Sequence, residues 1–421
     1  MLLPADLRDW VQQDDLVHFL VDALEVLDVS AARTNQRGTG SEQYPPGMML
    51  GLLVYCYANG IFSSRQIERA TYQNLSVRYL TANTHPDHDT IASFRRQNAA
   101  LLGSAFRQLL QLAHHSGLLQ LGVVALDGTK LEANATKRKT LTAAGIEAEL
   151  SQLDQRVSQL LRQAEAADQN DKSADQLPAQ LADAQARRAR LQEAKAQLQE
   201  QARVRYQQRQ EQRRQRPPDD APRGVPPGPR STDTINPTDP DSTLTPTAQG
   251  RYIQGYNAQL VVSAQGRGLI VAADVVRDTS DQQQLQPMIE QTLENVGTVS
   301  EVLVDSGYEN TRQIIALEKG HRLEVLCPPA ANAHVRSEVV PRTRWRQERK
   351  LKRQELRARL QTPEGRRLYR LRRVTVEPAI GIIKSALGFV RFGLRGLSNV
   401  KTEWLLVSLA FNCRRIAPAF N

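Results

Sequence analysis

Two short apolar runs, each ending in an aspartate with a glycine close behind, constrain the fold of this chain more than any other feature. Val123–Leu126 leads into Asp127-Gly128, and Glu301–Val304 leads into Asp305, with Gly307 two residues later. A short apolar run bounded by turn residues is typical of a buried strand. We therefore predict two buried strands that stop at the two aspartates.

Strand and helix patterns alternate around these two runs. The apolar segments 256–263 and 268–276 flank a glycine-containing turn, which predicts a β-hairpin. Helical spacing follows at about 280–296 and again around 314–317, before a further apolar run at 323–327. Alternating strands and helices predict an α/β domain with a mixed sheet at 121–421.

The first 120 residues show a different pattern. Pro46–Ile61 is dense enough in apolar side chains for a buried helix, and Asp87 and Thr90 are suitable N-cap residues for another. We predict an all-α N-terminal domain at 1–120. Its arginines at 65, 69, 95 and 96 are expected to be exposed, which suits DNA binding and equally suits a solvated basic face.

The α/β pattern is interrupted by a segment with almost no aromatic residues. Residues 137–216 hold two apolar stripes at helical spacing, separated by the polar stretch 168–173. This predicts a helical hairpin or a pair of coiled-coil helices inserted into the domain. Residues 217–250 contain many of the prolines and are predicted to form a linker.

The two strand-end aspartates predict a metal site if their strands are neighbours. Functional groups in open α/β sheets collect beyond the carboxyl ends of strands. Two carboxylates there repel each other unless a cation lies between them, and Mg²⁺ prefers oxygen ligands. Two such ions about 3.5–4 Å apart can catalyse phosphoryl transfer. The alternative is that Asp127 and Asp305 only form turns.

A third acid lies in the C-terminal region. Arg373, Glu377, Ile380 and Lys384 share one stripe of a helix, so the acid would be flanked by two cations. A carboxylate can bind metal while Arg and Lys bind phosphate oxygens. Pro378 disfavours helical geometry at the preceding residue, which places Glu377 at a helix start or kink. An ordinary exposed charged helix fits the same spacing.

Basic residues are concentrated just before this third acid. Between Arg342 and Arg373 the chain has fourteen Lys or Arg and three Glu, a net charge of +11 that exceeds the +10 of the whole chain. Such a run suits a phosphate-backbone track, and a membrane surface is the weaker alternative. Trp345 and Tyr369 lie within the run and either stack on bases or pack locally.

Features that determine the compartment favour a cytoplasmic protein. No apolar run approaches the roughly 18–20 residues of a spanning helix, and the N-terminus lacks the pattern of a signal peptide. The three cysteines are scattered and without metal-site spacing, so we predict reduced, mostly buried thiols.

The chain resembles the DDE transposases of bacterial insertion sequences. The likeness is carried by YPPGMMLGLLVYCYANGIFSSRQIERA at 44–70, HPDHDTIASFRRQ at 85–97, VALDGTKLEANA at 124–135, GYNAQLVV and the following strands at 255–276, VLVDSGY at 302–308, and the long stretch that begins TPEGRRLYRLRRVTVEPAIGIIKSALGF at 362–416. The resemblance implies an RNase H-like fold for the catalytic domain.

The resemblance also implies an activity. It makes Asp127, Asp305 and Glu377 the metal-binding catalytic triad, with Mg²⁺ or Mn²⁺ as cofactor and two ions expected. It implies cleavage of double-stranded DNA at terminal inverted repeats and strand transfer into target DNA. It further implies a homodimer assembled on DNA, a nucleoid-associated location, and recognition of the repeats by residues 1–120.

Related transposases carry the signature Tyr-x2-Arg-x3-Glu-x6-Lys around the third acid. Arg373, Glu377 and Lys384 match it, whereas the tyrosine position is occupied by Arg370 and Tyr369 lies one residue away. With Arg95 and Arg96, the residues Arg370, Arg373 and Lys384 are the candidate DNA contacts.

Two alternatives to an active enzyme remain open. The first is a transposase-derived protein that binds element ends without cutting, which the presence of all three acids disfavours. The second is a coiled-coil scaffold built on residues 143–215, which leaves the acid-terminated strands unexplained.

Overall fold

The computed structural model describes residues 6–33, 43–169, 177–214, 224–247, 250–329 and 344–420. The chain divides into two compact units: the first comprises Met1–Leu131 and Tyr256–Asn421, and the second comprises Glu132–Gly255. None of the helices in these described ranges combines the length and apolarity that a membrane crossing requires.

Among its described residues, the first unit begins with a short 3₁₀ helix at Leu7–Trp10, which is followed by α-helices. They are α1 (Leu16–Val26), α2 (Pro46–Ala58), α3 (Ser64–Gln73), α4 (Leu75–Leu80), α5 (His88–Gln97) and α6 (Ala99–His115). The predicted buried helix is confirmed, since every residue of Met49–Ala58 is buried in α2. The predicted cap is also confirmed, because the Asp87 side chain accepts hydrogen bonds from the backbone N–H groups of Asp89 and Thr90.

A mixed sheet forms the centre of the α/β part of the chain. Within the described residues its strands are β1 (Val123–Glu132), β4 (Thr243–Pro246), β5 (Tyr252–Ser263), β6 (Ile270–Val276), β7 (Glu301–Leu303) and β8 (Glu324–Leu326), in the order β4-β5-β1-β7-β8, and β6 also pairs with β5. The pairs β1–β7 and β7–β8 are parallel, and β5–β6 is the antiparallel hairpin predicted from the sequence. This arrangement, with the helices that accompany it, is the predicted α/β RNase H-like fold.

Further helices accompany the sheet in the described part of the first unit. They are α9 (Leu285–Val296), α10 (Thr311–His321), α11 (Arg344–Gln361), α12 (Pro363–Gly381) and α13 (Leu397–Ile416), and a π-helical turn at Ile382–Ala386 follows α12 directly. Helix α13 lies between β6 and α2. Its fully buried Trp404 donates a hydrogen bond from Nε1 to the backbone oxygen of Gln259 on β5. The C-terminal helix is therefore part of the core.

The second unit contains the predicted helical pair. Helices α7 (Ala143–Gln169) and α8 (Leu177–Arg214) pack on each other around a small core of Ile146, Leu191, Ala194, Leu198 and Ile235. Most of the predicted polar break, residues 170–173, lies outside the described residues. Within the described residues, α7 and α8 confirm a pair of helices in this segment.

The predicted linker is partly wrong. Strand β3 (Thr234–Ile235) pairs with β2 (Leu141–Thr142), and β4 (Thr243–Pro246) pairs with the start of β5. Ile235 enters the core of the second unit, which gives this Pro-rich segment a reason to fold. Residues 217–223 and 248–249 of the linker lie outside the described part.

The three cysteines are free and buried, as predicted. Burial raises the pKa of each thiol to about 12, so none is a reactive thiolate at neutral pH.

Candidate active site

Asp127 and Asp305 lie on neighbouring parallel strands. The register pairs Ala125 of β1 with Leu303 of β7, so each aspartate is two residues beyond this pair. Because parallel strands advance in the same direction, both carboxylates lie at the same end of the pair. The predicted adjacency of the two strands is confirmed.

The two strands end differently from the prediction. Strand β7 ends at Leu303, and Asp305 caps the short 3₁₀ turn Ser306–Tyr308, with its Oδ1 accepting from the Gly307 N–H at 2.8 Å. Strand β1 instead continues through Asp127 to Glu132, so the predicted stop at Asp127-Gly128 is wrong. Asp127 is thus held inside a strand rather than at its end.

Gly128 serves close packing and not a turn. A Cβ there would lie 2.6 Å from Gln259 Nε2, 2.9 Å from Asp281 Oδ1 and 3.1 Å from Asn257 Oδ1. Any side chain would displace this group of polar atoms, because real Cβ contacts are longer. The glycine therefore lets a polar cluster approach the strand beside Asp127.

Glu377 lies inside helix α12, which continues past Pro378 to Gly381. A predicted helix start at this position is wrong. Proline has no N–H to donate and disturbs the preceding turn, and the helix passes into the π-helical turn Ile382–Ala386 soon afterwards. Helix α12 is therefore continuous through Glu377, and the π-helical geometry begins five residues later, at Ile382.

A single arginine brings the three acids together. Arg372 Nη2 lies 2.7 Å from Asp127 Oδ2 and 3.7 Å from Asp305 Oδ2, and its Nη1 lies 3.1 Å from Glu377 Oε1. The arginine side chain is only 11% exposed. We call Asp127, Asp305 and Glu377 the carboxylate site, and Arg372 lies between its members.

The family signature Tyr-x2-Arg-x3-Glu-x6-Lys predicted Arg373 as the arginine of the site, whereas the structure places Arg372 there. Arg373 is exposed, whereas Arg372 lies on the face of α12 that buries Val376 and Ala379. The signal that favours Arg372 is its spacing from Tyr369, because Tyr369-x2-Arg372 preserves the first half of the family signature. One extra residue then separates this arginine from Glu377.

The electrostatics of the site favour a bound cation. Burial raises the pKa of Asp127 to about 6, although Arg372 and the Gly128 N–H act in the opposite direction; Asp305 and Asp281 add to the rise. A desolvated carboxylate with other acids nearby ionises readily only beside a positive charge. Burial also raises the pKa of Tyr308 well above its ordinary value, and the three aspartates add to this effect.

The donor atoms suit Mg²⁺ or Mn²⁺, since both prefer carboxylate oxygens. Three such groups already converge on one cation, which is the guanidinium. With the guanidinium between them, the three carboxylates are not close enough together to hold a metal ion. Among the described residues, no other group of three acidic, histidine or cysteine side chains forms such a cluster either. The donor set fits a metal, and Arg372 lies where the donors meet.

A fourth acid was not found from the sequence. Asp281 Oδ1 accepts from Asn257 Nδ2 at 2.7 Å and from Gln259 Nε2 at 2.9 Å, and it lies 3.6 Å from Lys130 Nζ. Gln259 also accepts a hydrogen bond from the Tyr308 hydroxyl through Oε1. No short motif marks Asp281, because these partners come from distant parts of the chain.

Lys384 and Lys130 contact each other near this cluster. Lys384 Nζ donates to the backbone oxygen of Lys130 at 3.2 Å, and Lys130 Nζ donates to the backbone oxygen of Thr279 at 2.9 Å. Burial lowers the pKa of both lysines. Lys384 therefore lies beside strand β1, and its predicted contact with DNA stays a prediction.

The predicted exposure of Arg95 is wrong. Its side chain is buried between α2 and α13, where Nη1 donates to the Tyr57 hydroxyl and to the Phe62 backbone oxygen and lies 3.8 Å from Glu403 Oε1. Burial raises the pKa of Glu403, and the positive charge of Arg95 partly offsets this rise. Arg96 is exposed, as are Arg65 and Arg69.

Part of the basic run is committed to internal ion pairs. Lys352 pairs with Glu318, Arg353 with Glu309, and Arg359 with both Glu318 and Glu324. These cations attach α11 to α10, to β8 and to the end of the 3₁₀ turn before α10, so they do not form a free phosphate track. The alternative of local packing is confirmed for Trp345, whose ring lies under the Arg312 guanidinium at 4.1 Å.

The exposed cations of the run lie on both helices, at positions 346, 349, 350 and 357 of α11 and at positions 366, 367, 370 and 373 of α12. Arg366, Arg370 and Arg373 are exposed at helical spacing and lead to the exposed Glu377. A stripe of cations next to the carboxylate site suits a phosphate backbone.

Two family models match the chain. Residues 232–413 match a model described as Transposase DDE domain, and this match includes Asp305 and Glu377. Residues 5–97 match a model described as Transposase domain (DUF772), which covers helices α1 to α5. No curated protein and no solved structure matches the chain.

Proposed function

Because the chain belongs to the DDE-type transposases of insertion sequences, we propose that it cleaves DNA at the terminal inverted repeats of its element and joins the ends to target DNA. Asp127, Asp305 and Glu377 are the proposed ligands of two divalent ions, Mg²⁺ or Mn²⁺. The family generally uses divalent metal ions. When bound between carboxylates, such ions activate the attacking oxygen and stabilise the leaving one.

The observation that carries the proposal is the convergence of three carboxylates from distant parts of the chain on one cation. Asp127 comes from β1, Asp305 from the turn after β7, and Glu377 from α12. Asp127 is held within β1, where its Oδ1 accepts from the Gly128 N–H at 2.8 Å, and Asp305 is held by the turn that follows the adjacent β7, where its Oδ1 accepts from the Gly307 N–H. Rigid positioning of this kind supports phosphoryl transfer, in which geometry and charge supply most of the catalysis.

The proposed DNA contacts are Arg96, Arg370, Arg373 and Lys384. The first three are exposed, and Arg370 and Arg373 continue the cationic stripe of α12 that leads to Glu377. Phosphates bound along this stripe would lie next to the carboxylate site. We further propose that helices of residues 1–120 bind the terminal repeats, and that two protomers assemble on DNA because an element has two ends.

The test is cleavage of duplex DNA that carries the element's terminal repeats, with purified full-length chain and Mg²⁺. We expect Asp127→Asn, Asp305→Asn and Glu377→Gln each to reduce cleavage below detection while binding of the same DNA persists. Each change preserves the shape of the side chain and removes its negative charge, so a loss of cleavage would report the charge.

Matched controls make the same changes at exposed positions: Asp183→Asn on α8 and Glu294→Gln on α9. Both should cleave like the wild type. Wild-type cleavage by any of the three site variants would refute the assignment of that residue. Specific binding of the repeats without cleavage by the wild type would instead favour the non-cutting DNA-binding alternative.

A further inference from the structure

We propose that Arg372 is a resident counter-cation of the carboxylate site, which has to withdraw before a divalent ion can bind there. The inference rests on the proposed function, because the same three carboxylates are the proposed metal ligands. It assigns to Arg372 control over when the site accepts metal.

The contacts of Arg372 support a counter-cation role. Its two terminal nitrogens reach all three carboxylates, at 2.7, 3.1 and 3.7 Å. Among the described residues, no other lysine or arginine lies within ion-pair distance of these acids: the nearby Lys130 approaches Asp281, and Lys384 donates to a backbone oxygen. The positive charge that balances the site therefore comes from this one side chain.

The hydrogen bonding of Arg372 is incomplete, as it also is for Arg95 and Arg205, whereas the nearby Arg359 has no unpartnered nitrogen. The Nε of Arg372 is buried and has no hydrogen-bond partner. Arg359 is bonded through every nitrogen, with Nε on Glu324, Nη1 on Glu318 and the Val325 backbone oxygen, and Nη2 on Glu355. A buried N–H without a partner costs free energy, so the contacts of Arg372 with the acids stabilise its position less than full hydrogen bonding would.

A guanidinium and a divalent ion cannot share these acids. The oxygens that approach Arg372 are the ones that would coordinate the ion, and two cations in one partly buried site repel each other. The guanidinium has to leave before the carboxylates can close on a metal. Since DNA phosphates attract an arginine that leaves, binding of DNA and binding of metal would each favour the other through Arg372.

The test measures Mn²⁺ binding to the full-length chain without DNA, by the electron paramagnetic resonance signal of free Mn²⁺. We expect Arg372→Gln to bind Mn²⁺ about tenfold more tightly than the wild type, a typical size for coupling between two ligands. Arg367→Gln is the matched control, since it removes the same charge from an exposed position on the same helix, where Arg367 pairs only with the exposed Glu364, and its affinity for Mn²⁺ should change little. Arg372→Lys keeps the positive charge but lacks the planar guanidinium, so its affinity for Mn²⁺ should lie between those of the wild type and Arg372→Gln.

Duplex DNA added to the same assay gives a second readout. It should tighten Mn²⁺ binding by the wild type and have little further effect on Arg372→Gln. If Arg372→Gln does not fold, the inference is tested by the Mn²⁺ affinity of Arg372→Lys and by the effect of DNA on the Mn²⁺ affinity of the wild type. Unchanged or weaker Mn²⁺ binding in folded Arg372 variants would overturn the inference.

The acid variants separate this inference from the proposed function. If Asp127→Asn, Asp305→Asn and Glu377→Gln lose Mn²⁺ binding but the Arg372 variants do not gain it, only the counter-cation role fails. If the acid variants bind Mn²⁺ like the wild type, the proposed metal ligands fail, and the role of Arg372 fails with them.

Discussion

Gly128 illustrates how a single residue supports the candidate site without chemistry of its own. Polar atoms of Gln259, Asp281 and Asn257 occupy the space into which a Cβ would project. The two amides are almost completely buried and hydrogen-bonded to one another and to Asp281, so they cannot simply turn away. The absence of a side chain next to Asp127 is therefore a packing requirement.

We predict that Gly128→Ala destabilises the protein by about 1–3 kcal/mol, the usual range for overpacking a filled interior, and reduces DNA cleavage. The measurement is urea unfolding alongside the cleavage assay. The matched control is Gly381→Ala, where a Cβ would meet nothing within 4 Å and the position is helical. This control should gain about 0.5–1 kcal/mol from the better helix propensity of alanine. Equal stabilities for the two variants would contradict the packing role of Gly128.

Among the elements, α11 is attached to the fold by charge more than by apolar contact. Leu356 is fully buried, while Leu351 is 65% exposed. Glu318 of α10 contacts both Lys352 and Arg359 of α11, and the three side chains are between 9% and 18% exposed. Buried ion pairs of this kind are costly to break, because the remaining charges stay desolvated.

We predict that Glu318→Gln lowers the free energy of unfolding by about 2 kcal/mol at neutral pH. Burial alone would raise the pKa of Glu318, but hydrogen bonds from Lys352, Arg359 and the Val325 N–H hold it below its ordinary value of 4.5. A carboxyl whose folded pKa is lowered stabilises the fold above its unfolded pKa and loses this effect as pH falls. The difference between wild type and variant should therefore be full above about pH 4.5–5 and shrink below it.

The control for this prediction is Glu348→Gln. Glu348 pairs with Lys319 at 3.5 Å, but both side chains are well exposed, at 44% and 75%. Exposed pairs contribute little, so the variant should lose less than about 0.5 kcal/mol. A Glu318→Gln variant as stable as this control would show that α11 does not depend on the buried pairs.

At the scale of the whole molecule, charge is distributed unevenly. The chain carries +10 overall, and the segment 342–373 alone carries +11. Several of its cations neutralise buried acids, while Arg366, Arg370 and Arg373 remain exposed on α12. A count of charges in the sequence therefore overstates what is available to DNA.

We predict that DNA binding weakens steeply as salt increases, because phosphate contacts release condensed counterions. Loss of one phosphate contact should reduce the slope of log K against log salt by about 1, for Arg370→Gln and for Arg373→Gln. Lys319→Gln removes an exposed cation at the end of α10 and should leave the slope unchanged. A salt-independent affinity would contradict a phosphate track on α12.

The sequence by itself determined the elements and two of the three proposed acids. Apolar periodicity is local, so the buried helix α2, the helical pair α7–α8 and the hairpin β5–β6 were predictable. Apolar runs leading to Asp127 and Asp305 predicted two buried strands, and their proximity needed only the usual pairing of such strands. Glu377 came from the family signature, since Pro378 made its local pattern ambiguous.

Only the tertiary structure decided which neighbours these residues have. Arg372 and Arg373 are the same residue type, one position apart, yet adjacent side chains on a helix point about 100° apart, and packing decides which of them faces the sheet. The burial of Arg95 against Glu403 and the approach of Asp281 to Gly128 depend in the same way on contacts between segments far apart in the chain. Local pattern therefore specifies the strands that carry Asp127 and Asp305, while the cation between the acids is specified by how α12 packs.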